Sequence, residues 1–172
     1  MINHIEANSR TAHCRLLKQA GYKVLGTGLF STVFEVPDNP DIVIKVMKHT
    51  DYAYLTFAEH VMKHPNIHFP KIHSIDTYNA SGRFPYVVCV IERVDVLRYS
   101  FKREFFASQL DDYCRGVTLY VDRKQFPLTA EFNQAVDTLR MLYETHLGSF
   151  DIHHKNIGYR KDGTLVIIDP FC

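Results

Sequence analysis

A glycine-rich turn lies between two predicted strands near the beginning of the chain and reads Gly26-Thr27-Gly28-Leu29-Phe30-Ser31-Thr32-Val33. Because glycine has no Cβ, backbone N–H groups in such a turn can closely approach the oxygens of a phosphate group. The turn therefore favours phosphate binding, and the simpler interpretation is a glycine-rich hairpin without a ligand. A dinucleotide-binding fingerprint is excluded because a predicted strand, and not a helix, follows the glycines.

A lysine interrupts the apolar strand that comes next, Ile42-Val43-Ile44-Lys45-Val46. An ammonium group inside an apolar layer needs a polar partner, since burying an unpaired charge is costly. The glycine turn that precedes this strand favours a functional position for Lys45. The alternative is an edge strand from which the lysine side chain reaches solvent.

Two aspartates and an asparagine lie near the C-terminus. Asp151 comes five residues before Asn156, with His153 between them, and Asp169 follows a predicted apolar strand. A carboxylate at the end of a buried strand is costly unless a cation compensates its charge. Metal binding at Asp169 is therefore one interpretation, and an Asp that caps a turn before Pro170 is the other.

The elements that must position these residues segregate along the chain, with strands mainly in the first half and helices mainly in the second. We predict helices at 4–20, 51–63, 98–114 and 129–147, and strands at 22–25, 32–36, 42–46, 71–77, 86–92 and 165–168. Residues 26–28 and 37–41 are predicted turns. This segregation predicts an α+β fold in a single domain over residues 1–172.

Composition narrows the class of protein. The 172 residues are 46% hydrophobic and 23% charged, and the net charge of +1 gives no electrostatic case for nucleic-acid or membrane binding. No C-x-x-C pair, basic signal sequence or long apolar stretch is present, which predicts a cytoplasmic protein with reduced thiols. The four cysteines are Cys14, Cys89, Cys114 and Cys172.

The glycine-rich turn, Lys45, the Asp151–Asn156 pair and Asp169 occur in the order of the corresponding protein-kinase motifs, which they resemble. Ser31 stands in place of the third glycine of G-x-G-x-x-G-x-V. The resemblance implies a five-stranded antiparallel N-lobe (1–92) and a truncated helical C-lobe (93–172) that ends just after the metal-binding Asp169. It also implies that the residues covering the ATP phosphates are Gly26, Thr27, Gly28, Ser31 and Val33.

The kinase resemblance implies a role for Lys45 as well, namely orienting the α- and β-phosphates with a carboxylate as counter-ion. Glu59 is the only Glu in the predicted helix 51–63, and Asp51 competes with it. A solvated position is an equally good interpretation for each.

The resemblance further implies that Asp151 orients or accepts the proton of the substrate hydroxyl, and that Asn156 and Asp169 bind Mg²⁺. His153 replaces the usual Lys, as in aminoglycoside- and choline-kinase-like enzymes. This histidine would either balance charge on the γ-phosphate or order the loop through hydrogen bonds. The residues expected to be plain surface residues are His154 and Lys155.

Several segments resemble more closely the kinase domain of the early serine/threonine protein kinase of short-tailed coliphages; they are residues 20–31, 43–46, 149–153, 156–157 and 168–170. That resemblance implies a phage-encoded enzyme of the host cytoplasm. It would use ATP and Mg²⁺ to phosphorylate host proteins early in infection.

The chain also departs from the kinase pattern. No His-Arg pair precedes Asp151, Asp169-Pro170-Phe171 replaces Asp-Phe-Gly, and the sequence stops at Cys172. Two alternatives therefore stand beside the protein kinase. One is a kinase-shaped protein that binds and inhibits a host or defence protein without catalysis, and the other is a small-molecule phosphotransferase. A homodimer is a further expectation, because a truncated lobe would expose apolar surface.

Overall fold

A computed structural model describes residues 7–117, 126–145 and 148–172. Its helices are α1 (Arg10–Gln19), α2 (Tyr52–Lys63), α3 (Phe101–Cys114) and α4 (Ala130–Glu144). Its strands are β1 (Lys23–Thr27), β2 (Ser31–Val36), β3 (Asn39–Lys48), β4 (Ile72–Tyr78), β5 (Tyr86–Glu92), β6 (Asp95–Val96), β7 (Ile157–Tyr159) and β8 (Leu165–Ile167).

The chain divides into two compact units, each made of two segments. The first unit consists of Met1–Tyr52 and Lys71–Arg93, and the second of Ala53–Pro70 and Val94–Cys172. Apart from its first residue, α2 thus belongs to a different unit from the strands that precede and follow it in sequence. The single domain with lobes at 1–92 and 93–172 stays a prediction.

The first unit is built on a five-stranded antiparallel sheet in the order β1-β2-β3-β5-β4. Its two central strands are rich in Val and Ile, whose branched side chains pack well on a pleated surface. Alternating residues of β2, β3 and β5 form a core, which contains Phe34, Ile44, Val46, Tyr86 and Val88. The predicted α+β class with five antiparallel strands is confirmed.

Helix α1 packs on the same core through Leu17, which is almost fully buried. Ser9 caps the helix by accepting a hydrogen bond from the N–H of Ala12. His13 lies on the buried side, where Nδ1 is 3.0 Å from the hydroxyl of Tyr86. One face of the sheet in this unit is therefore covered by α1.

The second unit combines the three remaining helices with a small sheet in the order β6-β7-β8. Buried aromatic and aliphatic side chains fill its interior, among them Phe57, Phe69, Phe132 and Leu139. The segment after α2 joins this sheet at His68, whose carbonyl accepts from Ile167 N–H at 2.8 Å and whose Nδ1 lies 2.8 Å from the carbonyl of Leu165.

Most predicted element boundaries differ from those in the structure by a few residues. The helices predicted at 4–20 and 98–114 begin only at Arg10 and Phe101, because Ser9 and Ser100 are their N-caps. The turn predicted at 26–28 is too long, since β1 runs to Thr27.

The turn predicted at 37–41 covers only Pro37 and Asp38, because a bulge opposite Val36 lets β3 begin at Asn39 and places Pro40 where it removes no ladder hydrogen bond. The strand predicted at 165–168 ends at Ile167. The helix predicted from residue 129 begins at Ala130, since Thr129 is its N-cap.

The prediction missed β6 and β7, which have two and three residues and are too short to show a periodic pattern. Residues 4–6 and 146–147, which belong to two predicted helices, lie outside the described residues. Within residues 7–117, 126–145 and 148–172, the helices are all too short or too polar to cross a membrane.

Candidate active site

One cross-strand row in the first unit joins the glycine turn to the buried lysine. Gly26 lies opposite Val33, Val33 opposite Lys45, and Lys45 opposite Cys89 in the registers of successive strand pairs. Directly paired residues of antiparallel strands share one face of the sheet. The α1 face carries Phe34 and its neighbours, so this row belongs to the opposite face.

The turn itself is closed by a hydrogen bond from Gly28 N–H to the carbonyl of Ser31 at 2.9 Å. A Cβ added at Gly26 or Gly28 would meet no atom of the protein within 4 Å, and neither glycine has a positive φ. Packing and backbone conformation therefore do not explain why glycine occupies these positions. An open backbone that a phosphate could approach is consistent with both glycines, and phosphate binding there stays a prediction.

Lys45 is only 4% exposed, although its neighbours in β3 from Ile42 to Met47 are apolar. The prediction that its ammonium is carried into the protein and not out to solvent is thus in line with its burial. Its counter-ion stays undecided between the two predicted carboxylates. Glu59 is exposed on α2, and Asp51 is half-buried after β3, where its N–H donates to the carbonyl of Lys48 at 3.1 Å.

In the second unit, Asn156 folds back on Asp151. The side-chain amide of Asn156 donates to the main-chain oxygen of Asp151 at 2.7 Å and to its Oδ2 at 3.2 Å. Nδ2 donates both hydrogen bonds, which leaves the amide oxygen of Asn156 as the atom that would contact a cation. The spacing of five residues therefore closes a loop and orients both side chains.

Asp169 is brought to this loop by the main chain. The carbonyl of Asn156 accepts from Ile168 N–H at 2.7 Å and from Asp169 N–H at 3.4 Å. Strand β8, which precedes Asp169, is buried and paired with β7, which follows Asn156. The pairing of these two short strands thus places the predicted metal-binding residues at neighbouring positions.

The segment that ends the sequence pairs with the residues before the loop. Asp151 N–H donates to the carbonyl of Pro170 at 2.8 Å, and Phe150 forms an antiparallel bridge with Phe171. Ser149 and Cys172 exchange two main-chain hydrogen bonds of 3.0 Å. Asp151 is therefore anchored through its own N–H as well as through Asn156.

His153 lies over the carboxylate of Asp151, with Nε2 at 3.6 Å from Oδ2. Its other ring nitrogen, Nδ1, accepts a hydrogen bond from Lys155 N–H at 3.2 Å. The neutral ring therefore carries its proton on Nε2, on the side of Asp151. These contacts fit the predicted role in ordering the loop, and the role toward a γ-phosphate stays a prediction.

A sequence model of the family described as "Bacteriophage T7 protein kinase 0.7" matches residues 9–172. The chain belongs to this phage kinase family. Membership supports a kinase role in general and implies the use of ATP. A comparison with curated proteins gave no significant match.

His154 was expected to be a plain surface residue of this phage kinase, and that prediction is wrong. Its side chain is only 13% exposed, its Nδ1 contacts the carboxylate of Glu104, and its ring meets Tyr99 edge-on at 5.3 Å. Glu104 lies on α3, fifty positions away in sequence. Because no local pattern links the two residues, this contact could not be read from the sequence.

Sequence reasoning also missed Gly148, which lies against the carbonyl of Cys172. A Cβ at this position would lie 2.1 Å from that oxygen. The available signal is a glycine directly before Ser149-Phe150-Asp151. Its function in the fold is to let two chain segments approach each other closely.

The site residues fit Mg²⁺ in their donor chemistry. Asn156 and Asp169 offer amide and carboxylate oxygens, the ligand atoms that hard divalent cations prefer. Within residues 7–117, 126–145 and 148–172, no three or more His, Cys, Asp or Glu side chains form a group that could hold a metal ion. Kinase sites do not need such a group, because phosphate oxygens and water supply the remaining ligands.

Proposed function

We propose that this chain is a serine/threonine protein kinase that transfers the γ-phosphoryl group of ATP to host proteins in the cytoplasm during early infection. The observation that carries the proposal is the hydrogen-bonded loop from Asp151 to Asn156, to which the backbone of Asp169 is attached. This loop combines a base, an amide oxygen and a second carboxylate within one unit. Family membership supports the kinase class, and the substrate class belongs to the proposal alone.

In the proposed reaction, the hydroxyl oxygen of a substrate side chain forms a bond to the γ-phosphorus. The bond between that phosphorus and the bridging oxygen of ATP breaks, and ADP leaves with the electron pair. Asp151 orients the hydroxyl and takes up its proton. His153 would help to order the loop, since its Nε2 lies 3.6 Å from Oδ2 of Asp151.

The nucleotide phosphates are assigned to the glycine turn and Lys45. Backbone N–H groups of residues 26–31 would bind phosphate oxygens, and the ammonium of Lys45 would bind the α- and β-phosphates. Asn156 and Asp169 would hold Mg²⁺, which when bound supplies positive charge that neutralises the phosphates. Catalysis then depends mainly on positioning and on charge stabilisation.

The proposal is tested by phosphoryl transfer from radiolabelled ATP to proteins of a host lysate. Asp151→Asn preserves the shape of the side chain but removes the base, and we expect labelling to fall about 100-fold or more. Asp162→Asn is the matched control, because Asp162 is an exposed aspartate in a hairpin of the same unit. Equal labelling of the same bands by wild type and Asp151→Asn would contradict the catalytic assignment.

A second candidate function is inhibition of a host or defence protein by binding alone. It is favoured by the exposed aromatic side chains at the beginning of α3, since exposed aromatic groups mark interaction surfaces. Tyr99, Phe101 and Phe105 are 71%, 84% and 57% exposed. Infection with a phage that carries both Lys45→Met and Asp151→Asn separates the two functions, because a binding protein would keep its full biological effect.

A further inference from the structure

We propose that Asp111 and Arg115 of the α3 region form a positioning pair that fixes the main chain on both sides of Asp151. This inference rests on the proposed function, because it assigns the pair to the geometry of the catalytic aspartate. Neither residue belongs to a motif in the sequence. Both lie more than thirty positions before the loop that they contact.

Each member of the pair holds one of the two peptide groups that flank the Cα of Asp151. Arg115 Nη2 donates to the carbonyl of Phe150 at 2.6 Å, which belongs to the peptide group before Asp151. Asp111 Oδ1 accepts from the N–H of Ile152 at 3.3 Å, which belongs to the peptide group after it. A rotation of the main chain at Asp151 must break at least one of these hydrogen bonds.

The remaining main-chain groups at this position have partners of their own. The N–H of Asp151 donates to Pro170, and its carbonyl accepts from the side chain of Asn156. The four main-chain polar groups next to the Cα of Asp151 are therefore all hydrogen-bonded. Two of their four partners are Asp111 in α3 and Arg115, its C-cap residue. With the backbone held in this way, the direction in which the Asp151 carboxylate leaves the chain is set.

The two side chains of the pair also hold each other. Arg115 Nε contacts Asp111 Oδ2 one helical turn away, and Arg115 Nη2 lies 3.4 Å from Asp111 Oδ1. The guanidinium carbon of Arg115 lies 5.4 Å from the ring centroid of Phe150. A planar guanidinium can make these contacts at once, whereas a lysine ammonium cannot reproduce them.

The position of Asp111 disfavours the helix that carries it. Asp111 and Asp112 lie in the last turn of α3, where the helix dipole favours positive and not negative side chains. Arg115, the C-cap residue, offsets part of this cost. A carboxylate that weakens its own helix but accepts a hydrogen bond from the catalytic loop is better explained by the loop than by the helix.

Loss of the pair should affect the rate of phosphoryl transfer and not the binding of ATP. If the pair only orients Asp151, its loss should lower kcat for phosphoryl transfer and leave KM for ATP nearly unchanged. A displacement of a reacting group by about 1 Å costs on the order of 100-fold in rate. We expect Asp111→Ala and Arg115→Ala each to lower kcat about tenfold or more on this basis.

The test compares steady-state kinetics of the full chain in five forms: wild type, Asp111→Ala, Asp111→Asn, Arg115→Ala and Arg115→Lys. Asp111→Asn keeps an acceptor oxygen for Ile152 but loses the ionic contact with Arg115, so its kcat should fall between wild type and Asp111→Ala. Arg115→Lys should resemble Arg115→Ala. Asp112→Ala is the matched control, because it removes a carboxylate from the same turn of α3.

A second readout makes the failure of the pair distinguishable from the failure of the proposed function. Amide hydrogen exchange of Ile152 is measured directly, and Asp111→Ala should accelerate it at least about tenfold while Asp112→Ala leaves it unchanged. Accelerated exchange without any phosphoryl transfer by wild type would sink the proposed function and, with it, the positioning role. Active wild type with unchanged kcat in Asp111→Ala and Arg115→Ala would overturn the pair alone.

Structural damage would appear differently from loss of positioning. A variant that merely loosens the fold raises KM for ATP together with the loss of kcat and lowers the melting temperature, and this outcome in Asp111→Asn as well would count against the proposal. Should Asp111→Ala fail to fold, Asp111→Asn and Arg115→Lys carry the test. If both of these variants then have the same kcat as Asp112→Ala, the proposed positioning role is overturned.

Discussion

The side-chain amide of Asn156 donates two hydrogen bonds to Asp151, one to the main-chain oxygen at 2.7 Å and one to the carboxylate at 3.2 Å. The same Asn156 accepts main-chain hydrogen bonds from Ile168 and Asp169. A single residue thus connects the predicted catalytic aspartate to the predicted metal-binding one.

Removal of the Asn156 side chain should weaken both the fold and the reaction. Asn156→Ala deletes two hydrogen bonds, each with a net contribution of about 0.5–1.5 kcal/mol, and we expect the free energy of unfolding to fall by about 1–3 kcal/mol. Urea denaturation measures this change, and Asn133→Ala on the exposed side of α4 is the control. An Asn156→Ala protein as stable as the control would show that these bonds contribute nothing.

Loss of the buried ammonium should abolish nucleotide binding without unfolding the protein. Lys45→Met replaces the aliphatic stem of lysine with an unbranched apolar side chain of similar length. Because the position is only 4% exposed, the sheet should form normally. Mg-ATP should raise the melting temperature of wild type by linkage but not that of Lys45→Met. Lys23→Met on exposed strand β1 should respond like wild type, and an undiminished shift in Lys45→Met would contradict the assignment.

A methyl group at Gly148 should damage the chain where its last residues pair with the loop. The added Cβ would lie 2.1 Å from the carbonyl oxygen of Cys172, a main-chain atom that cannot move alone. We expect Gly148→Ala to lower the free energy of unfolding by about 1–3 kcal/mol, the usual cost of overpacking.

Gly28→Ala is the matched substitution for that experiment, since its Cβ would meet no atom within 4 Å. Its stability should be unchanged or slightly raised, because alanine restricts the unfolded chain. Equal stability of the two variants would show that the close approach of Gly148 to Cys172 does not occur in solution.

Acidification should destabilise the first unit through His13. Burial lowers the pKa of His13 below its usual value of 6.5, so the folded state favours the neutral ring. The unfolded chain binds more protons between the lowered pKa and pH 6.5, and the stabilising contribution of His13 is lost as the pH falls through this window. The slope from one such group is at most about 1.4 kcal/mol per pH unit.

His13→Gln removes the titration, so its free energy of unfolding should decrease less than that of wild type between pH 7.5 and 5. His60 and His68 also have pKa values lowered by burial and contribute to both proteins, which is why the difference in slope is the quantity to measure. His73→Gln, at an exposed position, is the control. Identical slopes for wild type and His13→Gln would refute the prediction.

Alkylation should distinguish the buried cysteine of α3 from the exposed one near the loop. Burial raises the pKa of Cys114 to about 12, so at pH 8 its reactive thiolate is very rare, whereas Cys172 is exposed. Iodoacetamide should label Cys172 at least about 100-fold faster than Cys114 in the native protein. Urea should remove the difference, and fast native labelling of Cys114 would contradict its burial.

Local patterns were sufficient for most of the fold. Alternating and β-branched residues predicted all five strands of the first unit, and strand β5 has the predicted bounds Tyr86–Glu92. Helical periodicity likewise predicted α2, α3 and α4 to within three residues at the ends that the structure describes. These elements are long enough for a repeating pattern to be visible in sequence. Strands β6 and β7 are not, and only their pairing with β8 makes them strands.

For the candidate site, the sequence by itself determined the residue types, their order and the spacing of Asp151 and Asn156, which is short enough for a loop to close. Tertiary structure alone decided that Asp111 and Arg115 hold that loop, that His154 contacts Glu104 and that Gly148 admits Cys172. These contacts join residues that lie 24 to 50 positions apart, since 172 − 148 = 24 and 154 − 104 = 50. Hydrogen bonds across such separations depend on how whole helices and segments pack, and a sequence pattern within one element carries no record of them.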